Sequence, residues 1–138
     1  MSAHGGPFGA IVVKDGGIIG RGRNEVTSSN DPTAHAEVQA IREACLHLGH
    51  FQLKGCEIYT SCEPCPMCIG AIYWSRPDAV YYACTQAEAA SIGFDDQFIY
   101  EQIALPMPAR SIPMKRIDLP DYKLPFATWK TSMNKTEY

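Results

Sequence analysis

Two short segments, Thr33-Ala34-His35-Ala36-Glu37 and Glu63-Pro64-Cys65-Pro66-Met67-Cys68, constrain this chain more than anything else in it. Each lies where a helix is predicted to begin. Asp31-Pro32 supplies a capping carboxylate and a proline suited to a first turn, and predicts a helix over 33–48 with Gly49 as its stop. Pro64 opens a second helix over 65–75, which Arg76-Pro77 ends. Cys65 and Cys68 are three positions apart, so they share one helix face and can reach a single ion. His35 stands in the first turn of the other helix. A fold that brings these two helix starts together gathers one imidazole and two thiols around a point. The partial positive charge at each helix start then favours the thiolates.

One imidazole and two thiolates suit zinc, one ion per chain, and three protein ligands leave a fourth position for water. Zinc lowers the pKa of such a water toward about 7. Glu37 is expected beside the metal without ligating it, where a carboxylate can take a proton from the water, deliver it to a ring nitrogen and then to departing ammonia. The alternative is a closed structural site with Cys62 as fourth ligand. Cys62 precedes Pro64 and the helix start, so it need not face the same way, and a closed site leaves Glu37 without a role. The order His-x-Glu then Pro-Cys-x-x-Cys is the known signature of zinc nucleobase deaminases.

The rest of the chain reads as one layered α/β domain over residues 1–138, without repeat, linker or low-complexity tract. Residues 8–13 and 18–24 are strands joined at Asp15-Gly16-Gly17, the second more polar and so nearer a sheet edge. Residues 25–32 read as a loop. Ile41, Ala44, Cys45 and Leu48 form the buried stripe of the first helix. Further strands are expected over 57–60, 79–84 and 112–117, and helices over 86–92, 96–103 and 125–135. From residue 57 onward strand and helix alternate, which favours a largely parallel sheet.

Composition narrows the partners. Twelve Lys and Arg against fifteen Asp and Glu, a net −3, argue against a nucleic-acid partner and for a small neutral substrate. No apolar run approaches the ~20 residues of a membrane helix and no leader-like start is present, so a cytoplasmic protein is expected. Of six cysteines, Cys62, Cys65 and Cys68 crowd together while Cys45, Cys56 and Cys84 stand among core-like residues. Metal binding or burial explains them better than disulfides.

With these residues in view, the chain resembles the cytidine deaminase-like superfamily and, within it, the bacterial guanine deaminases. The resemblance covers residues 6–138 and is carried by Gly6-Pro7-Phe8-Gly9-Ala10, Ser29-Asn30-Asp31-Pro32 running into the His35 segment, residues 59–74, Gly93-Phe94-Asp95-Asp96 and Glu137-Tyr138. It implies a three-layer α/β/α fold with a mixed five-stranded sheet flanked by helices, the usual N-terminal helix missing. It also implies hydrolytic deamination of guanine to xanthine and ammonia by attack at C2, in purine breakdown or salvage. A homodimer with a swapped C-terminal segment goes with it.

The resemblance carries substrate contacts onto Asn24, Asp96, Phe8, Ala36, Trp74 and Tyr138. The chemistry suits them: a carboxylate such as Asp96 accepts from the N1 and 2-amino donors of guanine, the Asn24 amide meets an acceptor edge, and Phe8 or Trp74 offers a stacking face. Plain structural readings stay open beside these. Asn24 ends a strand before a loop, Phe8 and Trp74 suit a core, Asp95 and Asp96 suit a helix cap and its neighbour, and Tyr138 ends the chain. Rival functions with the same motif are tRNA adenosine deaminase and cytosine deaminase; a zinc-stabilised scaffold is the non-enzymatic one.

Overall fold

Asp15 and Gly16 both adopt positive φ, 50° and 78°, as a two-residue hairpin turn of type I′ needs. They join β1 (Gly9–Lys14) to β2 (Gly17–Arg23), paired antiparallel with an irregularity between Val12 and Val13. The computed structural model describes residues 5–138. It divides into two compact units, parted between Phe98 and Ile99.

In the first unit, β3 (Cys56–Cys62) pairs antiparallel with β1 and parallel with β4 (Ala79–Cys84), so the sheet runs β2-β1-β3-β4. The sheet is therefore mixed, not largely parallel, because β1 enters it by a hairpin and only β3–β4 carries a helical crossover. The predicted polar strand is indeed an edge, β2. Four strands form among the described residues where five were expected. Residues 112–117 form none: Pro113 has no N–H to give a ladder, and no strand forms in that unit to pair with.

Helix α1 (Val26–Ser29) is a single turn inside the predicted loop. Helix α2 (Ala36–Leu48) ends as predicted at Gly49, which takes the left-handed φ of 64°. It starts three residues later than Asp31-Pro32 suggests, because the Asp31 carboxylate accepts from the Thr33 N–H (2.8 Å) and hydroxyl (2.7 Å) in a turn instead. Helix α3 (Pro66–Ser75) begins with proline at N1 and ends at Arg76, left-handed ahead of Pro77. A short α4 (Gln86–Ala90) carries a capping box between Thr85 and Glu88.

The core lies where α2 and α3 cover one sheet face: Val12, Leu53, Cys56 and Ile58 are fully buried, with Ile72 from α3 beside them. Burial of each large aliphatic contributes about 1.5–3 kcal/mol. On α2 the fully buried ridge is Ala36, Ala40 and Ala44, while Ile41, Cys45 and Leu48 pack at its margin. That ridge meets Gly20 and Gly22 of β2. A methyl at Gly22 would reach the Ala36 carbonyl and come within 2.5 Å of Ala40 N, and one at Gly20 within 2.5 Å of Ala40 O. Strand and helix are thus in backbone contact, which fixes the height of the α2 N-terminus above the sheet.

Helix α5 (Gln97–Ala104) crosses the division between units. The second unit holds the rest of it, a 3-10 turn (Met107–Ala109) and α6 (Leu124–Thr131). Arg110 ties its first part together, donating to the carbonyls of Leu105 and Ile103, both at 3.2 Å. No helix among the described residues is long and apolar enough to cross a membrane.

Candidate metal centre

His35 and Cys65 are the N-cap residues of α2 and α3, both extended, with ψ of 154° and 169°. An N-cap side chain leaves the helix at its electropositive end, and here the two ends converge. Both thiols approach the same imidazole nitrogen: Cys65 Sγ and Cys68 Sγ are each 3.5 Å from His35 Nδ1. Ligand atoms of His35, Cys65 and Cys68 all lie within 4.8 Å of one another, the only such group of three among the described residues. A nitrogen and two sulfurs at this spacing fit zinc with one ligand position left over.

Electrostatics agree with the geometry. The Cys65 thiol is brought down to about 4, chiefly by a hydrogen bond from Cys68 and then by His35. Cys68 is pushed up, first as the donor to Cys65, then by burial and by the charge of Glu37. The His35 imidazole is raised mainly by Cys65, against the effect of burial. The two thiols thus differ in direction, Cys65 held toward the thiolate and Cys68 toward the thiol.

Glu37 sits in the first turn of α2 and is only 6% exposed. Its Oε2 lies 3.4 Å from Cys68 Sγ, and its Oε1 lies 3.3 Å from Thr60 Oγ1. It borders the group of His35, Cys65 and Cys68 without being part of it. Cys62 does not join: it lies on β3 and its thiol donates to the Thr85 carbonyl at 3.8 Å. Cys45 and Cys56 stay with the core, while Cys84 is exposed at the end of β4.

The other expected residues are placed less closely. Asn24 is buried, its Oδ1 accepting from the N–H of Gly6 (3.3 Å) and of Val26 (3.1 Å). Phe8 meets Phe94 edge-on, with ring centroids 4.9 Å apart. Asp95 caps the start of α5 through Gln97 N at 2.9 Å, and its neighbour Asp96 is half-buried. Ala36 is fully buried against Gly22, Trp74 is 62% exposed on α3, and Tyr138 belongs to the second unit. Sequence reasoning missed Thr60 and the Gly20-Arg21-Gly22 stretch. The signals available were a lone hydroxyl in an apolar alternation and two glycines opposite alanines spaced by four.

The chain is similar to known proteins in sequence and fold. The model of the cytidine and deoxycytidylate deaminase zinc-binding region matches residues 2–84. Guanine deaminase of Bacillus subtilis (strain 168) is 59% identical over 134 residues, 97% of this chain and 86% of its own length. The solved structure of Bacillus subtilis guanine deaminase superposes with a TM-score of 0.95 over 97% of this chain and 85% of that one. A second solved structure, in complex with 2,6-diaminopurine, has a TM-score of 0.65 and 37% identity, covering 67% of this chain and 52% of that one. A tRNA-specific adenosine deaminase of Aquifex aeolicus is 49% identical over 77 residues, 56% of this chain and 51% of its own length. With two thiols and an imidazole converging at two helix starts and the zinc-binding region matched through β4, the chain belongs to the zinc-dependent cytidine and deoxycytidylate deaminase family.

Proposed function

We propose that this protein hydrolyses guanine to xanthine and ammonia. His35, Cys65 and Cys68 would hold zinc, one ion per chain. The observation that carries the reading is Glu37, a buried carboxylate bordering an open nitrogen-and-two-sulfur ligand set. Zinc in that set supplies Lewis acidity, so that a water can act as nucleophile near neutral pH. Glu37 accepts one proton from the attacking water and gives it to a ring nitrogen, where it stays, then moves the water's second proton from the oxygen on C2 to the departing amine. The C2–N bond breaks, oxygen takes its place, and ammonia leaves.

The choice of guanine draws on the Bacillus subtilis relative and on the chemistry of the remaining residues. With Asn24 Oδ1 held by two backbone N–H groups, the amide is left to offer Nδ2 as a donor to an acceptor edge such as O6 and N7. Asp96 accepts from the N1 and 2-amino donors. Phe8, braced by Phe94, and Trp74 flank the flat base. Ala36, with its methyl buried, can contribute its backbone N–H, a first-turn amide without a helical partner. Tyr138 serves as a closing side chain, in a homodimer that swaps the C-terminal segment. Residues 1–138 work as one deaminase domain, and the reduced thiols suit the cytoplasm.

The test is Glu37→Gln, read by zinc content, thermal unfolding and ammonia release together. Zinc and fold should be retained while turnover falls by roughly two orders of magnitude or more. A variant that deaminates at the parent rate removes Glu37 from the chemistry.

A further inference from the structure

The hydrogen-bonding of Glu37 points to a residue outside the metal motif. On β3 the side chains of Cys56, Ile58, Thr60 and Cys62 are buried on one face, and Thr60 brings a hydroxyl into that row. A buried hydroxyl needs a partner, and the Cys62 carbonyl supplies one at 3.0 Å. The contact with Glu37 Oε1 at 3.3 Å is therefore additional to what burial requires.

Thr60 is well fixed. Its strand is paired on both sides, opposite Ala10 in β1 and Tyr82 in β4. A β-branched side chain has restricted χ1, and the Cys62 carbonyl restrains it further. Glu37 by contrast is a long side chain with several rotors. Its two oxygens are sorted by its neighbours: Oε1 toward Thr60 and Oε2 toward Cys68. The hydroxyl has one proton: it donates to Oε1 when Glu37 is ionised, and when the carboxyl carries a proton it accepts from Oε1 and donates to the Cys62 carbonyl instead.

We propose that Thr60 is a positioning residue for Glu37, holding Oε1 so that Oε2 is the oxygen presented to the reacting atoms. The proposal rests on the reading that Glu37 moves the proton in guanine deamination. Thr60 does not touch the ligand set, and its effect passes through Glu37 alone.

The test compares Thr60→Val, which keeps the shape and removes the hydroxyl, with Thr60→Ser, which keeps the hydroxyl. Both are zinc-loaded full chains assayed on guanine beside the parent and Glu37→Gln. Thr60→Val should keep its zinc and lower kcat by roughly ten- to a hundredfold with KM changed less than about twofold, and Thr60→Ser should recover most of the loss. A Thr60→Val kcat within about twofold of the parent, or a Thr60→Ser as slow as Thr60→Val, overturns the proposal. Should Thr60→Val lose its zinc or its cooperative unfolding transition, Thr60→Ala takes its place with the same two outcomes. Failure of the underlying reading looks different: the parent is inert toward guanine, or Glu37→Gln retains the parent rate.

Discussion

Replacing Gly22 with alanine should loosen the metal centre from behind. The added methyl would lie 2.5 Å from Ala40 N and closer still to the Ala36 carbonyl, where ordinary contact begins near 3.4 Å. Both neighbours are backbone, so no side chain can rotate away. Helix α2 must lift from β2 by about 1 Å, a strain of the overpacking kind that costs about 1–3 kcal/mol. For a domain of this size that lowers Tm by roughly 3–10 °C. The lift falls on the first turn of α2, next to His35 and Glu37, and metal sites tolerate only about 0.2 Å in ligand distances. Gly22→Ala should therefore lose both thermal stability and bound zinc, measured by calorimetry and metal analysis on one preparation. Gly70→Ala is the control: it lies within α3 with no atom within 4 Å of its added methyl, and should gain about 0.4–1 kcal/mol. A Gly22→Ala protein with parental Tm and full zinc would show that the helix does not bear on the strand as described.

Asn24→Asp keeps the acceptor that Gly6 and Val26 use and removes the Nδ2 donors. It should retain its Tm within about 2 °C while KM for guanine rises roughly tenfold or more; an unchanged KM would take Asn24 away from the base. Zinc uptake should release protons at neutral pH, because the Cys68 thiol is raised by its bond to Cys65 and its own proton must leave. Affinity should accordingly fall as pH falls, with Cys65, at about 4, the last ligand to be protonated. Calorimetric titration in buffers of different ionisation heat reads the proton count, and a count of zero would contradict the paired thiols.

The metal centre was legible because its information is local. His35, Glu37, Cys65 and Cys68 lie within a turn of two helix starts; spacing puts Cys65 and Cys68 on one face, and it took the start of the helix after Pro64 to set Cys62 apart. The helix starts themselves were less so. Asp31-Pro32 has the chemistry of a cap, yet Asp31 spends it on a turn with Thr33, which leaves His35 extended as the N-cap and aims its ring. Thr60 was silent because its partner, Glu37, is brought to it only by packing. Gly20 and Gly22 read as features of a polar edge strand, whereas their purpose lies in the alanines of a helix further along the chain. Residues 112–117 carry strand-like residues, but a strand needs a neighbour, and the expectation of a fifth strand failed on that and on Pro113.

In the proposed reaction, zinc held at two helix starts turns this fold on guanine. The most direct test of that reaction is ammonia and xanthine release from guanine by the zinc-loaded chain, before and after chelation and beside cytosine, adenine and an RNA hairpin. Guanine should be turned over in preference to the others, with activity lost on chelation and regained with zinc. A zinc-loaded, folded protein that leaves guanine untouched would contradict it.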